Sequence, residues 1–177
     1  SAHMRVSAKA DYAARAAAEL STATDKPIKA DRIAAAQDIP AKFLETILLE
    51  LKHAGIVRSQ RGPEGGYALA RPAEEISVAD VIRAVDGPLA NVRGDRPENM
   101  EYNGAAEPLT DVWIAVRAAL RDILETTTLA NLRDGELPTR VAELADDPEA
   151  WVSLGRIRGA APTGGRKTQP KTSSAKS

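Results

Sequence analysis

The 177-residue sequence contains no cysteine. That absence excludes disulfides, thiolate nucleophiles, thiol redox sensing, and any zinc or iron–sulfur centre held by thiolates. Aromatic residues make up only 3% of the chain, with a single phenylalanine. Together with the many alanines, this points to helices packed closely on small side chains. No apolar run approaches the roughly 20 residues needed to span a bilayer, and no secretory leader is legible. A cytoplasmic protein with no membrane partner is therefore expected. Histidine is nearly absent as well, and one of the two, His3, lies in Ser1-Ala2-His3. Residues 1–3 read as an expression scar ahead of a native start at Met4. Phosphate-binding loops, nucleophile elbows and zinc spacings are all missing, so catalysis is not expected.

Neither sign of charge dominates overall, but the charges are partitioned. Residues 1–72 carry 11 Lys and Arg against 8 Asp and Glu, residues 73–154 carry 7 against 17, and residues 155–177 carry 6 against none. The acidic middle would repel DNA phosphates. A nucleic-acid surface would therefore lie in the first segment, with the tail as a second source of positive charge.

The stretch from Asp31 to Pro72 organises the rest. A short helix over 30–37 is followed by a second one opened by Pro40, with proline tolerated at a first helical position because its missing N–H has no partner there anyway. Phe43, Leu44, Ile47, Leu48 and Leu51 follow at the spacing of one apolar helical face. Gly55 supplies a left-handed stop. Two β-prone runs, 56–60 and 67–70, flank Arg61-Gly62-Pro63-Glu64-Gly65-Gly66, a turn-forming sequence. Helix, turn, helix and hairpin make a winged helix-turn-helix, in which the second helix can lie in a DNA major groove and the hairpin tip can reach the backbone or minor groove.

On either side the pattern stays helical. Residues 6–20 read as an alanine-rich helix with Ser7 at its N-cap. Ser77 and Asp80 form a capping-box signature that opens a short helix ended by Gly87. Residues 88–107 show no period, and a loop of that length is a candidate effector region. From Pro108 an apolar stripe of Leu109, Val112, Trp113, Val116, Leu120, Ile123 and Leu124 predicts one long helix reaching about Leu132. The same helix of a second subunit is its natural cover, and packing within one chain is the competing reading. The expected organisation is thus a DNA-binding domain over 4–87, a loop over 88–107, a dimerisation helix over 108–134, a weak acidic helical segment with Trp151 over 135–154, and a disordered basic tail over 155–177. The fold class is mainly α with a small β-hairpin wing.

Four motifs in order carry a resemblance: Met4-Arg5-Val6-Ser7-x-Lys9-x-x-Tyr12-Ala13; Ile39-Pro40-x-x-Phe43-Leu44-Glu45 with Leu51 and Gly55; Arg61-Gly62-Pro63-Glu64-Gly65-Gly66-Tyr67; and Val81-Ile82-Arg83-Ala84-Val85-Asp86-Gly87. Over residues 4–134 the chain resembles the Rrf-type family of bacterial winged helix-turn-helix regulators, which includes IscR, NsrR and CymR. The resemblance implies a homodimer with crossing long helices on a pseudo-palindromic operator. Cluster-holding members place three cysteines in the loop before the long helix. Here that loop has none, so the resemblance is to the cysteine-free branch, with no iron–sulfur cofactor. It implies a transcriptional regulator, expected to be a repressor, of sulfur or cysteine metabolism that responds to a small-molecule effector or a metabolic-enzyme partner.

Candidate contacts with double-stranded DNA divide by task. Lys9, Tyr12, Lys29 and Arg58 are candidate positioning groups on phosphates. Pro40, Ala41, Lys42 and Glu45 lie at the groove-facing start of the second helix, where Lys42 could donate to guanine and Glu45 could accept from a cytosine amine. Arg61 is the principal wing-tip candidate for a narrow minor groove, and Gly62, Pro63, Gly65 and Gly66 shape the turn that carries it. The competing reading of each charged residue is solvated surface. Glu98, Glu101, Glu107 and Asp111 form at most a weak carboxylate metal candidate and are read as solvated acidic surface. Two other function classes remain: a winged helix used for protein interaction, and an adaptor that binds a metabolic enzyme.

Overall fold

The computed structural model describes residues 5–153. The scar and the basic tail of the sequence reading lie outside the described residues. Residues up to Pro138 form one unit, and a second begins at Thr139.

Helix α1, Ala8–Leu20, starts where Ser7 accepts a hydrogen bond from the Ala10 N–H, and buries Ala10, Ala13, Ala16, Ala17 and Leu20. Such small side chains let neighbouring helices approach closely. Helix α2, Ala30–Gln37, ends at Asp38, whose left-handed backbone (φ 50°) makes the tight turn into the next helix. An aspartate tolerates that conformation better than most residues. Helix α3, Ala41–His53, buries Leu44, Ile47, Leu48 and Leu51. Each such side chain, fully buried, contributes about 1.5–3 kcal/mol relative to exposure, so the core dictates which face of α3 is left outside. Two details differ from the sequence reading. Pro40 is the N-cap residue rather than the first helical one, and its carbonyl accepts from the Leu44 N–H. Phe43 is 50% exposed and does not belong to the buried stripe.

Strands β1, Val57–Gln60, and β2, Gly66–Leu69, pair antiparallel with Val57 opposite Leu69 and Gln60 opposite Gly66. Ile28 adds a single bridge to Tyr67, with both N–H···O bonds at 2.8 Å, and so anchors the hairpin to the segment before α2. Helix α4, Val78–Asp86, opens with the full capping box, Ser77 and Asp80 bonding each other's backbone N–H at 3.0 Å. Burial pushes the Asp80 carboxyl up, but the Ser77 backbone and hydroxyl donors and Arg83 outweigh it and hold the group below the usual aspartate range.

The single helix expected over 108–134 is instead two. Helix α5, Leu109–Leu124, stops, and α6, Leu129–Asp134, begins after Thr126-Thr127-Thr128. The threonines explain the break. Thr126 and Thr127 turn their hydroxyls onto the carbonyls of Asp122 and Ile123, at 2.6 and 2.8 Å, while Thr128 caps α6 through a capping box with Asn131. A reciprocal pair of backbone bonds, Val78 N–H to Thr127 and Leu129 N–H to Ile76, ties this joint to the start of α4 and buries Leu129 and Ala130 in the main core. The second unit holds α7, Thr139–Asp146, and a 3-10 turn over Pro148–Trp151, with the Trp151 indole donating to the Ala145 carbonyl.

Candidate nucleic-acid interface

With its apolar stripe in the core, α3 turns a second face outward. At about 100° per residue, Lys42, Thr46 and Leu49 lie opposite the buried leucines and Glu45 lies to one side, and all four are exposed, as are Pro40 and Ala41 at the helix start. The Lys42, Lys29, Arg58 and Arg61 side chains make no ion pair among the described residues. These four cations, without an ion pair among the described residues, are available to an outside anion.

The flank of α3 that faces α1 is committed to holding the helix in place. Lys9 Nζ lies 2.7 Å from Glu50 Oε1, with about a third of each side chain exposed. Tyr12 packs tilted against Phe43 with ring centroids 5.8 Å apart, and the Arg15 guanidinium sits 4.6 Å above the Tyr12 ring. Arg15 also donates to the Gln37 carbonyl at 2.7 Å, reaching the end of α2. Lys9 and Tyr12, expected as phosphate contacts, are therefore placed in the brace between α1 and α3. Glu50 Oε2 and Arg15 Nε are buried there without a hydrogen-bond partner among the described residues.

The hairpin tip is shaped by two glycines. A Cβ on Gly65 would collide with the backbone of Gln60, Gly62 and Arg61, and one on Gly66 would lie 2.6 Å from the Ile28 carbonyl oxygen. Only a residue without a side chain closes this loop. Arg61, Gly62, Pro63 and Glu64 project from it and are exposed. Lys26 approaches Glu64 at 3.9 Å, but both side chains are more than four-fifths exposed, so the pair holds the tip only weakly. Strand alternation sorts the remaining positive charge. Ser59 faces α3 and accepts from Lys52 Nζ at 2.8 Å, while Arg58 lies on the other face, in a depression shared with Lys26 and Arg71. The structure brings Pro40, Ala41, Lys42 and Glu45 together on α3 and Arg61 to Gly66 together at the tip, with Arg58 turned away from α3.

Sequence reasoning missed Thr46 and Leu49 as outward-facing residues and assigned Phe43 inward. The signal was present in the spacing, because Phe43 falls about 100° from Leu44 and well off the axis of the buried stripe.

Between the start of α1, α4, the loop after α4, and α5 lies a largely apolar cavity of about 540 Å³. Trp113, Val116, Leu120 and Leu124 of the expected dimerisation stripe line it, together with Ile82 and Leu89. No α5 side chain is buried among the described residues, and Val112 is 48% exposed. The loop is latched to α5 by three contacts: the Trp113 indole donating to Tyr102 Oη at 3.0 Å, Arg117 to Glu98 at 2.8 Å, and Thr110 to the Met100 carbonyl at 3.4 Å. The Glu98 carboxyl is held below the usual range, first by its own backbone N–H and also by Arg117.

A helix-turn-helix whose second helix turns an exposed polar face outward, beside a hairpin whose tip presents an arginine with no ion pair among the described residues, is the architecture of a DNA-binding transcriptional regulator. The chain belongs to the Rrf2 family, described as iron-dependent transcriptional regulators, whose model matches residues 6–135. It is 54% identical over 151 residues to Rv1287 of Mycobacterium tuberculosis, a candidate helix-turn-helix transcriptional regulator, covering 85% of this chain and 94% of that one. Among solved structures it is similar to CymR, the global cysteine regulator of Bacillus subtilis, with a TM-score of 0.64, 30% identity, and coverage of 75% and 98%. It is also similar to IscR of T. potens, with a TM-score of 0.59, 28% identity, and coverage of 86% and 94%. The relatives are transcriptional regulators, not enzymes.

The family description names iron, and this chain offers few donors for it. There is no cysteine in the sequence, and among the described residues no three His, Asp or Glu side chains come together as a metal-holding group. In the loop, Glu98 is engaged by Arg117, and Asp95 by Asn99 and the Arg96 N–H. The residues do not fit a thiolate-held iron–sulfur cluster. Among the described residues, no helix is long and apolar enough to cross a membrane.

Proposed function

We propose that this Rrf2-family regulator acts as a homodimer, in the cytoplasm, on a pseudo-palindromic operator, repressing transcription without a thiolate-ligated cluster. The observation that carries the reading is the pairing of two surfaces: the outward face of α3 with Lys42, beside Arg61 at the hairpin tip, and the α5 stripe, none of which is fully buried. The first suits a major groove. The second suits a second copy, which would set two recognition helices one helical turn of DNA apart. Lys42 and Glu45 are assigned to base edges, Lys29 and Arg61 to the backbone and minor groove, and Gly62, Pro63, Gly65 and Gly66 to the shape of the tip. Lys9 and Tyr12 support recognition through α3, with the residual exposure of Lys9 leaving its ammonium within reach of a phosphate.

The likeness to CymR supports control of sulfur or cysteine metabolism, with a metabolite or an enzyme as the signal in place of iron. The latched loop over 88–107 is the segment assigned to receive that signal. Binding to the chain's own promoter, measured across a salt series with and without cysteine, O-acetylserine and cysteine synthase, tests this directly. Specific binding at physiological salt that shifts with one additive supports the reading. Binding indifferent to sequence would leave the winged helix as a protein-interaction module.

A further inference from the structure

The chain has one phenylalanine, and it does not use it to fill its core. Phe43 is 50% exposed and Leu49 is 53% exposed, both on the helix-turn-helix's second helix. Thr46 lies between them at i, i+3 and i+6, so the three follow one row that winds about 120° around α3, from the flank beside α1 at Phe43 to the outward face at Leu49. Thr46 directs its hydroxyl back onto the Lys42 carbonyl, at 3.4 Å. The ridge is therefore apolar for two turns, flanked by Lys42 and Glu45. Tyr12 covers part of Phe43, but the core accounts for neither Leu49 nor the exposed half of Phe43, because the three leucines and one isoleucine that hold α3 lie on another face.

The major groove has one apolar feature, the thymine C5-methyl group, and alkyl and aromatic side chains recognise it by contact. We propose that Phe43 and Leu49, with Thr46 between them, read thymine methyl groups, so that the half-site of this regulator carries thymines at the steps beneath the ridge. Tyr12 sets the placement of Phe43. Its ring packs tilted against Phe43 at 5.8 Å and is itself covered by Arg15 at 4.6 Å, while Phe43 keeps half of its surface exposed. Lys42 and Glu45 supply hydrogen-bonding discrimination at neighbouring positions, and the ridge supplies the methyl readout that they cannot. This inference rests on the DNA-binding reading of α3 and adds to it the chemical feature being read.

The test alters first the DNA and then the protein. Full-length protein selects its preferred duplex from a random-sequence pool. That duplex is then remade with deoxyuridine in place of thymidine in one half-site, which removes only methyl groups. Affinity is expected to fall roughly three- to fourfold for each contacted methyl, the ratio that follows from burying one such group. Phe43→Ala and Leu49→Ala are expected to weaken binding to the thymine duplex and to bring the thymine-to-uracil affinity ratio toward one. That ratio would not move if the residues acted only on folding. Equal affinity for the two duplexes, or selected half-sites without thymine, would overturn the methyl readout while leaving DNA binding intact. Failure to enrich any duplex would overturn the DNA-binding reading of α3 as well.

Discussion

Replacing Arg61 by alanine separates the two things a wing-tip arginine can do. Its side chain is exposed and makes no ion pair among the described residues, and the tip around it is held by Gly65 and Gly66 rather than by the guanidinium. Folding stability should therefore change by no more than about 0.5 kcal/mol, as for surface substitutions away from packing features. For a chain of this length that corresponds to a midpoint shift of about 2 °C at most. Binding should respond far more. Loss of a good groove contact costs about 1–3 kcal/mol, roughly a five- to 150-fold rise in Kd at fixed salt. If Arg61 also neutralises a phosphate, the slope of log K against log salt should become shallower by about one. Fluorescence anisotropy on a labelled operator at four or more salt concentrations gives both numbers, and a melting curve on the same protein gives the third. Unchanged affinity and slope would remove the wing tip from the interface. A fall in affinity matched by a large drop in melting temperature would show instead that the arginine holds the fold.

Three other substitutions probe different layers. Gly65→Ala forces a Cβ into the backbone of Gln60, Gly62 and Arg61, so a stability loss of about 1–3 kcal/mol is expected, accompanied by weaker DNA binding as the tip opens; a melting point and an affinity both equal to the parent's would contradict the tip geometry. Val112→Glu places a charge on the α5 stripe where the residue is already 48% exposed, so the monomer should fold while sedimentation shows loss of the dimer; a persistent dimer would move the interface elsewhere. For Asp80, whose carboxyl is held below its usual range when folded, the sign is that of a stabilising carboxylate. Its contribution is present above the unfolded value and is lost as pH falls through the folded one, below about pH 4. An acid-unfolding curve for Asp80→Asn should be flatter in that window than the parent's, and superimposable curves would refute the capping role.

Local signals in the sequence accounted for much of the fold. Ser7, the Ser77 and Asp80 box, Gly55 and the glycine-rich tip each act within a few residues of themselves, and a reader of the chain can see them. What stayed hidden depends on partners far along the chain. Lys9 looked like a free phosphate contact because Glu50, 41 residues away, is invisible from the first helix. The long apolar stripe after Pro108 hid a break because the three threonines continue a helical pattern while offering hydroxyls that end it. Phe43 was placed inward because hydrophobicity and periodicity disagree there, and hydrophobicity alone does not report burial. At the candidate site, the charged residues of α3 and the wing were legible by type, but the apolar ridge between them was not.

The most direct test is the affinity of chelator-treated, iron-free full-length protein for its own promoter duplex, measured beside an unrelated duplex at physiological salt with the stoichiometry determined. A Kd on the order of 10⁻⁸ M or tighter, at least about a thousandfold below that for the unrelated duplex, with two protomers per site, is expected of a dimeric operator-binding regulator that needs no cluster. Specific binding that appears only after iron is restored, or equal affinity for the two duplexes, would contradict it.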